Sequence, residues 1–247
     1  MANVLAEHAL WVSLGFVVVS MVGAYLTTVW VGAHHPDRRN RMLWSVVVAG
    51  TALFVAVVWA LASPGYLDLF DNALAVALAG ALTPAVLHAL SIFTHFGERD
   101  LLAAFAAGVL LVLLWRRYWA LSALWVAATA GGGLLNRLLK AGFERARPEH
   151  THGFVQAHGF SFPSGHATGA MACYGMLAFL LFRVAPVAWR PAIAACTVGL
   201  IAAVGLSRVL LHVHFASDVV AGWAITAAWI ALCIRAYHAL REKPPQV

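Results

Sequence analysis

Charge is what this sequence has least of. Only 11% of its 247 residues are Asp, Glu, Lys or Arg, while 62% are hydrophobic. A soluble domain is about a quarter charged and roughly half apolar, so a water-soluble globule is excluded as the body of this chain. Cysteine is scarce as well. Cys173, Cys196 and Cys233 each lie inside an apolar run, with no Cys-x-x-Cys pair and no metal-ligand spacing. They read as small packing residues. No Lys or Arg precedes Arg38, so the first apolar run lacks the basic start of a secretory signal. Acidic residues are outnumbered, 10 against 16 Lys and Arg, which gives a formal charge of +6. That excess does not point to nucleic acid. Most of the basic residues sit in short segments between apolar runs, where the positive-inside rule puts them.

What the sequence has in abundance is uncharged length. Runs without Asp, Glu, Lys or Arg occupy Ala9–Ala33, Met42–Leu67, Leu101–Trp115, Tyr118–Asn136, Ala167–Phe182, Pro191–Ser207 and Val219–Ile234. At about 20 residues per crossing they predict an all-α, polytopic transmembrane bundle of six to seven spans. Several runs are short, so their helices are expected to extend into flanking polar residues. Trp11, Trp30, Trp44, Trp115, Trp119 and Trp189 lie near run ends, as an interfacial aromatic belt requires. The stretch Asn72–Gly97 is also uncharged, but Thr83-Pro84 interrupts it, and counting it as a span would break the charge rule. It reads as a broken, interfacial helical hairpin, with His88, Ser91 and His95 on one polar stripe. The predicted organisation is a single membrane domain, residues 1–247. It comprises two N-terminal spans (1–67), an outer-face segment (68–98), a catalytic bundle (99–238) and a cytoplasmic tail (239–247).

The basic residues give an orientation. Arg38, Arg39, Arg41, Arg116, Arg117, Arg183, Arg190, Arg235, Arg241 and Lys243 fall on one side, expected to be cytoplasmic. Arg99, Arg137, Lys140, Arg145, Arg147 and Arg208 fall on the other, and most of them cluster around three polar motifs. The first motif runs from Lys140 to Arg147-Pro148. The second is Pro163-Ser164-Gly165-His166. The third runs from Ser207-Arg208 to His214 and Asp218. Ionisable residues at membrane helix ends are expensive and mark function by default. Two guanidinium forks and an ammonium suit phosphate oxygens. A glycine at a helix N-terminus offers backbone N–H groups to an anion. His214 and Asp218, four apart, share a face if helical, leaving one imidazole nitrogen free as a nucleophile. His212 falls on the wrong face for that contact. Each motif alone is an ordinary structural feature, a surface pair, a capped turn or a helix end; their coincidence on one membrane face is not.

Together the three motifs, K-x6-RP, PSGH and SR-x5-H-x3-D, resemble the tripartite signature of the type-2 phosphatidic acid phosphatase superfamily. The resemblance implies a helical bundle with its site at the outer face of a bacterial cytoplasmic membrane. It further implies a phosphatase acting on a membrane lipid phosphate, without cofactor or metal. The implied roles follow the motif positions. His214 attacks phosphorus, Asp218 fixes its tautomer, and His166 is general acid and then base. Lys140, Arg147, Ser164, Gly165 and Arg208 bind the phosphoryl oxygens, with Ser207 a further donor. Arg145 either meets a second phosphate or lines the pocket, and Glu144 tempers the local charge. The extra basic residue favours undecaprenyl diphosphate over phosphatidylglycerol phosphate or phosphatidate. A lipid phosphotransferase using the same phosphohistidine and a non-catalytic lipid-binding module are the alternatives. The resemblance speaks to neither the lipid's identity nor the oligomeric state. One departure stands out: four predicted spans precede the first motif, one more than in the common six-span members.

Overall fold

The computed structural model describes residues 8–34, 39–63, 65–148 and 153–241. These residues form α1 (Ala9–His34), α2 (Arg39–Ala62), α3 (Tyr66–Leu78), α4 (Pro84–Phe93) and a 3-10 turn at Thr94–Gly97. There follow α5 (Arg99–Trp115), α6 (Trp119–Phe143), α7 (Gly165–Val184), a 3-10 turn at Val187–Trp189, α8 (Arg190–Leu210) and α9 (Ala216–Arg241). Each predicted span coincides with one long helix. As expected, several helices outrun their uncharged stretch: α6 continues past Lys140, and α9 begins early enough to include Asp218. The expectations for Trp30, Arg38, Arg39 and Lys243 lie outside what is described of those residues.

Two boundaries need correction. The second span ends at Ala62, not Leu67, because Pro64 disfavours helix at the residue before it and Gly65 is extended as the N-cap of α3. The divisions placed at 67/68 and 238/239 therefore fall inside α3 and α9. The helix that opens the predicted 68–98 segment starts at Tyr66, six residues before the uncharged run at Asn72, and carries Asp68 and Asp71. Its break is where Thr83-Pro84 announced it, but proline there opens a helix instead of interrupting one. Thr83 caps α4, its hydroxyl accepting from Val86 N at 3.5 Å, and Pro84 takes the first helical position, where its missing N–H is no loss. The polar stripe dissolves: Ser91 is buried and donates to His88 O, while His95 lies in the 3-10 turn against Ile92 O.

Among the described residues, α1, α2, α7, α8 and α9 are long and apolar enough to cross a membrane. Helix α5 has 17 residues and α6 carries Asn136, Arg137 and Lys140 toward its end. Both belong to the same bundle, α5 packing on α6 and α7, and α6 on α7 and α9. Helix α9 is central, touching α2, α6, α7 and α8. Leu124, Trp125, Ala128, Met176, Ile230 and Ile234 are packed together in one cluster of the core. Trp125 Nε1 donates across helices to Ala106 O at 3.0 Å, satisfying a polar group that lipid could not. The outer flanks remain apolar and open, with Trp11, Trp59, Trp115, Trp119 and Trp189 strongly exposed. The additional helix α1 lies along α8, with Phe16 stacked on Trp223.

One end of the bundle gathers the ends of α6 and α8, the starts of α7 and α9, and the α3–α4 segment. The turn at Thr94–Gly97 packs against α5, α7 and α8 there. Gly97 makes that approach possible: a Cβ on it would lie 2.5 Å from Val204 Cγ1 and 2.9 Å from His166 Cδ2. Gly97→Ala is therefore expected to lower stability by about 1–3 kcal/mol through overpacking and to displace His166. Thermal unfolding in detergent checks this; an unchanged midpoint would show that the turn relaxes freely.

Candidate active site

The site is built from helix ends, and capping geometry explains its spacing. Helix α8 terminates through Leu211 N to Ser207 O and Val213 N to Arg208 O, and the chain reverses at His212, whose φ is 54°. That reversal carries His214 back beside the start of α9. His214 is not on a helix with Asp218, which corrects the shared-face expectation. Asp218 is the third residue of α9, and its Oδ2 accepts from Phe215 N, at the N-cap, at 2.9 Å. This is the carboxylate half of a capping box. His214, the residue before the cap, comes within 3.4 Å of the same oxygen through Nδ1.

Asp218 is fully buried and fully engaged. Ser161 Oγ also donates to Oδ2, and Arg145 Nη1 donates to Oδ1 at 2.8 Å. On the other side of the imidazole, Arg147 Nη1 lies 3.2 Å from His214 Nε2. A guanidinium can only donate, so Nε2 carries the lone pair and Nδ1 the proton. The tautomer is thus the one whose Nε2 lone pair faces Arg147 and whose Nδ1–H faces Asp218. Burial pushes the His214 imidazole down to about 3, against the pull of Asp218 in the opposite direction.

The cations divide into two kinds. Arg147, Lys140 and Arg208 make no ion pair with a carboxylate among the described residues. Arg147 donates to Val213 O, Gly159 O, His158 O and Phe160 O, tying the loop before α7 to the turn before α9. Lys140 donates to Phe160 O and Ser161 O. Arg208 is 3% exposed, donates from Nη1 to Thr94 Oγ1 at 2.8 Å, and leaves Nε without a partner. His166 Nε2 is likewise buried without a hydrogen bond; the nearest carboxylate oxygen is Glu98 Oε2 at 3.5 Å. His166 is within electrostatic reach of Arg208, His214 and Arg147. A buried guanidinium without a matching charge is strongly unfavourable, and an anion is the kind of partner that would satisfy Arg208 Nε.

Arg145 is of the second kind. Its fork is occupied by Asp218, by Asp71 Oδ2 at 3.0 Å and by Asp68 Oδ1 at 3.1 Å, with Ser217 Oγ at 2.8 Å. Those carboxylates outweigh the burial that would lower it, and its guanidinium is held more firmly protonated than usual. It stands behind Asp218, with its charge already matched. The tempering expected of Glu144 is done by Asp68 and Asp71; Glu144 itself caps α6 in the left-handed region, φ 45°.

The remaining motif residues frame this centre. Ser164 is the N-cap of α7, its hydroxyl accepting from Ala167 N and its N–H donating to Asp218 O at 3.0 Å. Its O–H proton remains available to a ligand. A Cβ on Gly165 would make ordinary contact with Asn136 Oδ1 at 3.6 Å, so the protein alone does not demand glycine there. Ser207 Oγ donates to Val204 O at 2.7 Å and lies 3.2 Å from Thr94 Oγ1, whose hydroxyl can donate to it, which turns it toward Arg208's support.

The PAP2 superfamily is matched over residues 119–242, half of the chain and the part holding every motif. The chain belongs to the PAP2 superfamily. Its structure is similar to that of a transmembrane PAP2-type phosphatidylglycerolphosphate phosphatase from Bacillus subtilis. The TM-score is 0.68 at 27% identity, covering 80% of this chain and 99% of that one. Phosphatidylglycerophosphatase B of Bacillus subtilis is 39% identical over 94 residues, 37% of this chain and 46% of its own. The match to lipid A 1-phosphatase of Rhizobium johnstonii, 39% identical, spans 40% of this chain and 41% of that protein. The chain thus covers less than half the length of these two relatives. Decaprenylphosphoryl-5-phosphoribose phosphatase of Mycolicibacterium smegmatis is 33% identical over 62% of this chain and 81% of its own. This PAP2 chain is a multi-pass, all-helical membrane protein, as its sequence indicated.

Sequence reasoning missed several residues that complete the PAP2 centre. Ser161, two positions before the second motif, holds Asp218. Asn136 Nδ2 bonds Pro163 O and Thr168 Oγ1, fixing the entry to α7. Thr94 supports Arg208, and Asp71 supports Arg145. Asp71 carried a readable signal, a carboxylate in an apolar helix, but it stood just before the uncharged run Asn72–Gly97 and was given no role.

The low basicity of His214 predicts that in the unliganded protein it stays neutral throughout pH 5–8. Nitrogen-15 histidine NMR in micelles is expected to show no protonation of His214 over that interval. A midpoint near the ordinary histidine value of about 6.5 would contradict the burial argument.

Proposed function

We propose that the protein is a lipid phosphate phosphatase working through a phosphohistidine at His214. The observation that carries this reading is the pair of unsatisfied buried groups, Arg208 Nε and His166 Nε2, beside a tautomerically fixed His214. Arg147, Lys140 and Arg208 hold the phosphoryl oxygens, aided by Ser164 and the α7 N-terminus. His214 Nε2 forms a bond to phosphorus while the phosphorus–oxygen bond to the lipid breaks, and His166 gives its proton to the departing oxygen. Water then attacks phosphorus, His166 takes back a proton, and the nitrogen–phosphorus bond breaks to free phosphate. Fixed cations aimed at developing charge are commonly the largest catalytic contribution, and here they take the place a divalent ion would fill.

The substrate class follows from charge. Arg145 was the argument for a second phosphate, yet its fork is matched by three carboxylates. The reading is therefore a lipid bearing one terminal phosphomonoester, in preference to undecaprenyl diphosphate. The relatives' names, each that of a phosphatase of a lipid or lipid-linked phosphate, support this. Basic residues concentrated at the far end of the bundle favour a site on the outer face.

Purified protein is expected to release inorganic phosphate from lipid phosphomonoesters, faster than from a polyprenyl diphosphate, and to do so in EDTA. His214→Ala should reduce release by at least about 10⁴-fold, as loss of a nucleophile does. In sealed vesicles, vanadate should inhibit from the outer face. Preference for the diphosphate would reinstate the earlier lipid reading. Appearance of the phosphate on another lipid would identify a phosphotransferase. Substantial turnover by the alanine variant would remove His214 from the mechanism.

A further inference from the structure

Helix α3 precedes every motif of the signature, yet it places two carboxylates behind the catalytic pair. Asp71 is 1% exposed. Its Oδ2 accepts from Arg145 Nη2 at 3.0 Å and from Ser217 Oγ, and its Oδ1 accepts from Ser217 N at 3.3 Å. A buried carboxylate with this many donors is committed to one geometry. Arg145 passes that geometry on: its other terminal nitrogen donates to both Asp218 Oδ1 and Ser217 Oγ. The guanidinium is further fixed by lying over the Phe215 ring at 4.2 Å. A continuous path therefore runs from Asp71 through Arg145 to Asp218 and His214, with Ser217 bonded to both of the first two.

We infer that Asp71 is a positioning residue for the proposed phosphatase reaction, acting through Arg145 to hold Asp218 and hence His214 in the attacking orientation. This rests on the reading of His214 as nucleophile. Asp71 touches no reacting atom. Its contribution is rotational: Asp218 receives Ser161 and Phe215 N on Oδ2, and the bond from Arg145 on Oδ1 braces the carboxylate against turning about its axis. Arg145 supplies that bond, and Asp71, buried where Asp68 is exposed, is the more firmly fixed of the two α3 carboxylates that hold the Arg145 Nη2 end in place. Burial raises the Asp71 carboxyl, with Ser217 and Arg145 pulling it back down. The arrangement makes α3 part of the catalytic machinery and explains why Arg145 is not a phosphate ligand.

The test is kinetic, on the full-length protein in micelles with a lipid phosphomonoester. Asp71→Asn keeps size and removes charge. Groups that orient a catalytic ligand through one intermediary are worth about 10–100-fold in metal sites, and the same range is expected in kcat here, with KM changed less than twofold. Arg145→Gln should lose at least as much. The double variant should be no slower than Arg145→Gln alone, since both act along one path. Ser217→Ala, which removes the hydroxyl that donates to Asp71 and accepts from Arg145, should lose a few-fold in kcat at unchanged KM, and it carries the test if Asp71→Asn does not fold. Wild-type kcat in Asp71→Asn or in Ser217→Ala overturns the assignment, as do multiplicative losses in the double variant or a change confined to KM. No turnover by the unmodified protein would overturn the functional reading itself; an active wild type with unaffected variants overturns this inference alone.

Discussion

The carboxylate of Asp218 is the constraint on which the rest of this site depends. It caps the start of α9, so it cannot be moved without loosening the helix. It also faces the imidazole that the motif spacing brings round from the end of α8. One side chain thus ties backbone geometry to chemistry. Four donors surround it, and its neighbours Ser161 and Arg145 come from the loop between α6 and α7. That loop is in turn pinned by Lys140 and Arg147. The helix ends that form the site are therefore cross-braced by the same polar groups that would meet a substrate.

The division of charge within the site is its second organising feature. Arg147, Lys140 and Arg208, which make no ion pair with a carboxylate among the described residues, lie around His214 and His166, and Arg145, with its charge matched, stands behind Asp218. Such an arrangement is costly, because Arg208 is a buried guanidinium with no carboxylate partner among the described residues. The surrounding bundle carries that cost with apolar packing and with interhelical hydrogen bonds such as that of Trp125. On the proposed function, a phosphate-bearing headgroup would relieve that cost, which would couple affinity to the charge state of the ligand.

Much of this was legible in the sequence. Long uncharged runs announced the helices, because a bilayer interior leaves a chain few alternatives. The motif residues were identifiable because charge at a membrane helix end rarely survives without a use. The failures are instructive in physical terms. His214 and Asp218 do meet, but through a capping box at a helix start, which the same four-residue spacing satisfies without a shared helical face. Arg145 looked equivalent to Arg147 because both sit in one basic cluster. Their different duties are set by Asp68 and Asp71, more than 70 residues away in sequence, and no local pattern reveals a partner at that distance. Thr94 and Ser161 were invisible for a simpler reason: a hydroxyl residue in a loop or turn has many ordinary uses, and only the fold shows which carboxylate or guanidinium it faces.

The account stands or falls on where phosphorus is bonded during turnover. Rapid acid-free quenching of the protein with a phosphorus-32 lipid phosphomonoester, followed by peptide mapping, locates the labelled side chain. The expected result is label on His214, acid-labile and stable to base. Label on His166, or phosphate release with no labelled protein at any quench time, would contradict the assignment of His214 as the nucleophile held by Asp218.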